Sequence, residues 1–134
     1  MIKETFKPAL TIDQVFNFTC DHYKIDKNIL LTKNRKSEIK EVRQIFQSLA
    51  RTFTTLSLDK IGKFNNGNYD HSTVLHSIKI VQNHRETEKR YNYIFTKLEK
   101  RLMMQNYLAL NGTTTMSAEF ATFVNDLDVV YTIV

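Results

Sequence analysis

The sequence predicts an all-α protein: a compact helical bundle containing a helix-turn-helix, with an extra C-terminal helix and tail. Three observations predict it. Apolar residues recur at helical spacing in each well-patterned stretch, and the chain has one proline and three glycines. A strong polar breaker also separates two short helical segments near the middle. With 134 residues, nine Phe and six Tyr, the chain is one domain long and apolar enough to build a core, which excludes a disordered polymer.

Residues 1–10 read as an irregular lead-in. Thr11 and Gln14 then match a capping box, in which each side chain satisfies a backbone N–H that the helix start leaves free. Behind it Ile12, Val15, Phe16, Thr19 and Tyr23 predict a helix over 12–23. Asp26 is placed to cap a short helix ending in Ile29, Leu30 and Leu31. Residues 32–36 form a basic loop. Ser37 is read as the cap of a long helix with Glu38 in its first turn. Ile39, Val42, Ile45, Phe46, Leu49 and Phe53 form its core stripe.

Ser57 caps the next helix, which carries Leu58 and Ile61. Asn65-Asn66-Gly67-Asn68 breaks it, being rich in residues that tolerate positive φ. Asp70 opens a helix over 70–79, with Val74, Leu75, Ile78 and Val81 expected to face inward. From Glu86 one more helix runs to about residue 105, with Tyr91, Ile94, Leu98 and Leu102 as its apolar edge. The domain reading is therefore a lead-in at 1–10, the helix-turn-helix domain at 11–85, a C-terminal helix at 86–108 and a tail at 109–134. Within the tail, Phe120, Phe123 and Leu127 fit a short helix.

Charge is unevenly spread. Residues 24–64 hold ten basic and four acidic side chains, and residues 106–134 hold three acids and no Lys or Arg. A polyanion docking against the middle of the chain suits that pattern, although a solvated basic face has the same signature. Cys20 is the lone cysteine, so an internal disulfide is impossible and a buried, inert thiol is expected. The sequence has neither a membrane-length apolar run nor a signal-peptide core, and a cytoplasmic, nucleoid-associated setting is expected.

Enzyme chemistry finds no support. His71, His76 and His84 are spaced by five and eight residues, which does not bring them to one helix face, and no cysteines accompany them as metal ligands. His22 stands two residues from Cys20 and points elsewhere, so a thiol–imidazole pair is not expected. No cofactor or metal site is predicted.

The segment with functional content is the leading turn Asp70-His71-Ser72-Thr73. Two short helices joined by a tight turn, the second entering a groove by its N-terminus, is helix-turn-helix architecture. The polar groups fit base-edge reading: Asp accepts from cytosine or adenine amino groups, His and Ser donate to purine acceptors, and a threonine methyl touches thymine. The same residues equally fit an Asp cap beside a surface histidine. Pattern alone leaves both open.

Ser57-Leu58-Asp59-Lys60-Ile61-Gly62, the turn, and DHSTVLHSIK at 70–79 together resemble the C-terminal DNA-binding domain of DnaA, the bacterial replication initiator. The family hallmarks are Asp-His-Ser/Thr-Thr-Val-Leu-His on the recognition helix and Ser-Leu-x-x-Ile-Gly on its partner. The likeness reaches back over the basic loop and Arg43-Gln44, covering roughly residues 10–85. It implies double-stranded DNA as partner, at DnaA-box-like sites, in regulation of replication or transcription.

By the same resemblance Arg35 enters the minor groove, Asp70, His71 and Ser72 read bases in the major groove, and Leu58 sits near a thymine methyl. Lys33, Arg51, Thr54, Thr73, His76 and Lys79 are then the phosphate contacts. The chain departs from the pattern in having one more turn residue, Asp59 where proline is common, and Tyr69 where a basic or polar residue usually precedes the Asp. A Gly-x-x-x-x-Gly-Lys-Ser/Thr phosphate loop is missing, so nucleotide binding and ATP-driven melting are not expected of this chain. An alternative reading makes it an interaction module, whose apolar tail recruits a partner or closes a homodimer while DNA contact is secondary.

Overall fold

The computed structural model describes residues 6–32 and 36–111, and these form an all-α bundle with no strand among them. In α1 (Ile12–Tyr23) the capping box is present, with Gln14 N–H donating to Thr11 Oγ1 at 3.2 Å and Thr11 N–H to Gln14 Oε1 at 2.9 Å. Lys24 ends the helix in the left-handed region at φ 55°. Residues 27–30 form turns, not the short helix expected after Asp26. Asp26 does act as a local cap, accepting from Asn28 N–H at 2.8 Å. The run is too short to close successive helical bonds, and burying Leu30 decides its path.

The central element is α2 (Ser37–Phe53), which touches every other helix. Its N-cap is Lys36, with no side-chain cap bond, and Ser37 is its first helical residue. Val42, Ile45, Phe46, Leu49, Ala50 and Phe53 are buried along its length. Phe46 meets Phe16 of α1 edge-on at 5.3 Å, and Phe64 closes the cluster at 5.4 Å from Phe16. Such T-shaped contacts add to the burial that already drives the packing.

Next come α3 (Leu58–Gly62), a 3-10 turn at Phe64–Asn66, and α4 (His71–Thr87). The α4 helix runs to Thr87, beyond the 70–79 expectation. It crosses residues 85 and 86, where the sequence reading put a boundary. Leu75 is a correction: it is 41% exposed, because Val74, Ser77 and Val81 define the inward stripe and residue 75 lies a full helical step outside it.

The last described helix is α5 (Lys89–Asn111), which starts three residues later and ends six residues later than expected. Phe95, Leu98 and Leu102 bury its inner edge. Arg85 of α4 locks the α4–α5 corner, bonding Asn92 Oδ1 at 2.8 Å, pairing with Glu99 at 3.2 Å and stacking 4.2 Å from the Phe95 ring centre. The lead-in is tied down as well. Buried Asn106 accepts from Ala9 N–H at 2.7 Å and donates to the Lys7 carbonyl at 2.9 Å, while Leu10 N–H reaches the Phe53 carbonyl. None of the described helices is long and apolar enough to cross a membrane. The readings made for the tail lie outside the described residues.

Candidate nucleic-acid interface

The site begins with a backbone closure. Ser57 caps α3, its hydroxyl accepting from Lys60 N–H at 3.3 Å. Buried Ile61 roots the helix, and Gly62 ends it against the incoming chain. Tyr69 N–H donates to the Gly62 carbonyl at 3.2 Å. Between them Asn65 takes φ 52°, a left-handed conformation that asparagine tolerates, and Gly67 N–H bonds the Phe64 carbonyl at 2.9 Å. The Asn-Asn-Gly-Asn stretch is thus a turn, closed by the Gly67–Phe64 and Tyr69–Gly62 backbone bonds.

This turn delivers Asp70 in extended geometry as the N-cap of α4. Its carboxylate accepts from Thr73 N–H at 2.8 Å, and that bond, helped by the Thr73 hydroxyl, holds its pKa below the ordinary carboxylate value. A negative cap at a helix N-terminus is favoured by the unpaired N–H groups there. Asp70 is therefore the cap that the simpler reading proposed, with its side chain still at the surface.

His71, Ser72 and Thr73 are exposed in the same leading turn. Ser72 Oγ lies 3.5 Å from His71 Nε2, a loose contact that leaves both groups able to meet another partner. Farther along α4, Leu75, His76 and Lys79 are exposed, and Lys79 has no ion pair among the described residues. The outward side of the helix thus carries a hydroxyl, an imidazole, an aliphatic side chain and a cation. Its inward side is rigidly held: Val74 and Val81 are buried, and the Ser77 hydroxyl is shared between Gln47 Oε1 at 2.6 Å and the Thr73 carbonyl at 3.1 Å.

Other residues singled out by the sequence fall around this helix. Leu58 is half-buried at the start of α3, packed against the core edge. Arg51 is exposed near the end of α2 and reaches the Leu56 carbonyl at 3.4 Å. Thr54 is placed differently from expectation. It is 5% exposed, and its hydroxyl donates to the Ala50 carbonyl at 2.6 Å and accepts from Leu56 N–H at 3.3 Å, so it closes the α2 C-terminus. Lys33 and Arg35 lie outside the described residues.

Three features escaped the sequence reading. Ser77 and Gln47 are both polar and spaced 30 residues apart, so no local signal joins them. Leu75 was recoverable: stepping 100° per residue from Val74, Ser77 and Val81 leaves it outside the stripe. Tyr69, where a basic or polar residue was expected, turns its hydroxyl to the Thr32 carbonyl at 3.1 Å. Cys20 is buried, and burial pushes its thiol up to about 11, so it stays protonated near neutral pH.

Comparison with known proteins places the same residues in context. Residues 12–81 match the family described as the bacterial dnaA protein helix-turn-helix. The chain is 40% identical over 98 residues to the chromosomal replication initiator protein DnaA of Bacteroides fragilis, an alignment covering 73% of this chain and 20% of that protein. It is 39% identical over 94 residues to the protein of the same name from Bacteroides thetaiotaomicron, covering 70% and 20% respectively. For the Synechococcus protein of that name the figures are 35% over 111 residues, 76% and 24%. The chain therefore spans about a fifth of the length of the curated relatives it matches.

Proposed function

We propose that this chain, which belongs to the bacterial DnaA helix-turn-helix family over residues 12–81, binds double-stranded DNA sequence-specifically at DnaA-box-like sites. The process served is regulation of replication initiation or of transcription. One observation carries the reading: α4 presents His71, Ser72 and Thr73 outward at its N-terminus while Val74, Ser77 and Val81 hold its other side against the bundle. A helix so anchored can enter the major groove without paying to order itself.

In this reading His71 and Ser72 meet base edges, and Asp70 both caps the helix and offers its remaining lone pairs to a base amino group. Leu58 lies near a thymine methyl. Arg51, Thr73, His76 and Lys79 border the phosphates, where contacts supply affinity and register but not sequence choice. Lys33 continues the phosphate track, and Arg35 enters the adjacent minor groove, where A/T-rich DNA is narrow and strongly negative. Thr54 is left out because its hydroxyl is committed inside the chain.

The test is selection of bound duplexes from a random pool. Wild-type protein should enrich one A/T-leaning motif. His71→Ala should keep the fold, lose on the order of 1–3 kcal/mol of binding to that motif and flatten the positions read by the helix. An unchanged selection profile would remove the recognition-helix assignment.

A further inference from the structure

We infer that Tyr69 and Arg43 are positioning residues that set the spacing between the recognition helix and the basic stretch that follows Thr32, and so set sequence preference without touching DNA. The inference rests on the proposed function. Its evidence is a junction of three segments distant in sequence. Tyr69 immediately precedes the Asp70 cap, Arg43 lies on α2, and Thr32 is the last residue before Lys33-Asn34-Arg35.

At this junction one carbonyl takes two donors. Tyr69 Oη lies 3.1 Å from the Thr32 carbonyl oxygen, and Arg43 Nη1 donates to that same oxygen at 3.2 Å. A carbonyl oxygen has two lone pairs, and here both have donors, one of them charged. The Leu31 carbonyl stands 3.4 Å from the same hydroxyl as a second acceptor. The Arg43 guanidinium also lies 5.0 Å from the centre of the Tyr69 ring, so the two donors brace each other.

Each partner of the junction is itself fixed. Tyr69 N–H is held by Gly62, Arg43 is carried on the central helix, and the Thr32 hydroxyl donates to the Ile29 carbonyl at 2.7 Å. Four residues beyond Thr32, the Lys36 carbonyl receives Lys40 N–H at 3.0 Å as α2 begins. The described residues on either side of 33–35 are therefore held, Lys36 at the start of α2 and Thr32 by Tyr69.

The chemistry explains why tyrosine stands at this position. A lysine or arginine before Asp70 would set a second cation beside the Arg43 guanidinium, whereas the neutral tyrosine ring attracts it. In this reading Tyr69 is a strut from the start of α4 to the chain at Thr32. Major- and minor-groove contacts to one duplex must keep a set separation, so loosening the strut weakens discrimination where the basic stretch reads.

Tyr69→Phe tests this because it keeps the ring and removes only the hydroxyl. Expected are an unchanged circular dichroism spectrum, an unchanged salt slope, and roughly threefold to tenfold weaker binding to the selected motif. The random-pool profile should flatten at the positions that Arg35→Ala flattens, and keep those that His71→Ala flattens. In an Arg35→Ala background the same change should cost less than about twofold. A Tyr69→Phe profile matching wild type at the Arg35-dependent positions overturns the inference and leaves the recognition-helix reading standing. Unaltered profiles for Arg35→Ala and His71→Ala alike would sink that reading itself, and the positioning role with it.

Discussion

The end of α3 and the residue before the α4 cap touch backbone to backbone: a β-carbon placed on Gly62 would sit 2.0 Å from the Tyr69 carbonyl oxygen. No side chain can yield there, because the atom in the way is main chain held by its own bond back to Gly62. The glycine of the Ser-Leu-x-x-Ile-Gly segment is thus required by close approach rather than by an unusual φ. Gly62→Ala is expected to cost about 3 kcal/mol of unfolding free energy in urea titration. A cost below about 0.5 kcal/mol would show that the turn relaxes freely.

Ser77 and Gln47 form the buried polar contact between α4 and α2. Ser77→Ala leaves the Gln47 amide without its partner and should destabilise by about 1–3 kcal/mol. Adding Gln47→Leu should recover most of that loss, because the pair is then replaced by an apolar contact of similar volume. Thermal denaturation of the two variants distinguishes this from a simple packing defect, for which the second change would add to the first.

Asp70 combines a cap with a proposed base contact, and two substitutions separate them. Asp70→Asn keeps an acceptor for Thr73 N–H, so melting should change little while the selected motif changes. Asp70→Ala should lower both melting temperature and affinity. Because the folded carboxylate has a depressed pKa, its stabilisation is present above the unfolded value of about 3.8 and is lost as pH falls below it. In Asp70→Asn that acid-side loss should shrink.

His22 gives a second, milder pH dependence. Its Nε2 lies 3.1 Å from the Ile94 carbonyl and its Nδ1 lies 3.4 Å from Arg101 Nη1, an arrangement that suits the neutral ring. Burial lowers its pKa, with Arg101 and Lys97 adding to the effect against the opposing Ile94 bond. The unfolded chain therefore binds this proton more readily than the folded one. Stability should be full above pH 6.5 and fall as pH drops below it, by linkage. His22→Gln should flatten urea midpoints between pH 5 and pH 7.5, and an undiminished slope would assign the effect elsewhere.

Lys79 and Leu75 share the outward side of α4 and should fail in different ways. Lys79→Ala should weaken all duplexes about equally and make log K against log salt less steep by about one unit. Leu75→Ser should change stability by less than about 0.5 kcal/mol, being a surface position, yet reduce binding with the salt slope intact. Parallel salt titrations of both variants check this.

Much of the fold was legible because its signals are local. The Thr11–Gln14 capping box, the α2 stripe from Val42 to Phe53 and the Ser57 and Asp70 caps all follow from short-range spacing. Boundaries that depend on what lies across the bundle were not legible. Lys36 rather than Ser37 caps α2, residues 27–30 turn without becoming a helix, and α4 runs on to Thr87 because Arg85 finds Asn92 and Glu99 on α5. The recognition turn was readable as a motif, but its cap-or-contact ambiguity at Asp70 was not resolvable from spacing.

By itself the sequence determined the helical class, the family and the leading turn of α4, because periodicity, caps and a contiguous motif act within a few residues of the chain. Only the tertiary structure decided which side of α4 is free, that Thr54 faces inward, and that Tyr69 reaches back 37 residues to Thr32. Those outcomes turn on competition for buried volume and for hydrogen-bond partners between segments far apart in sequence, and such competition has no local signature.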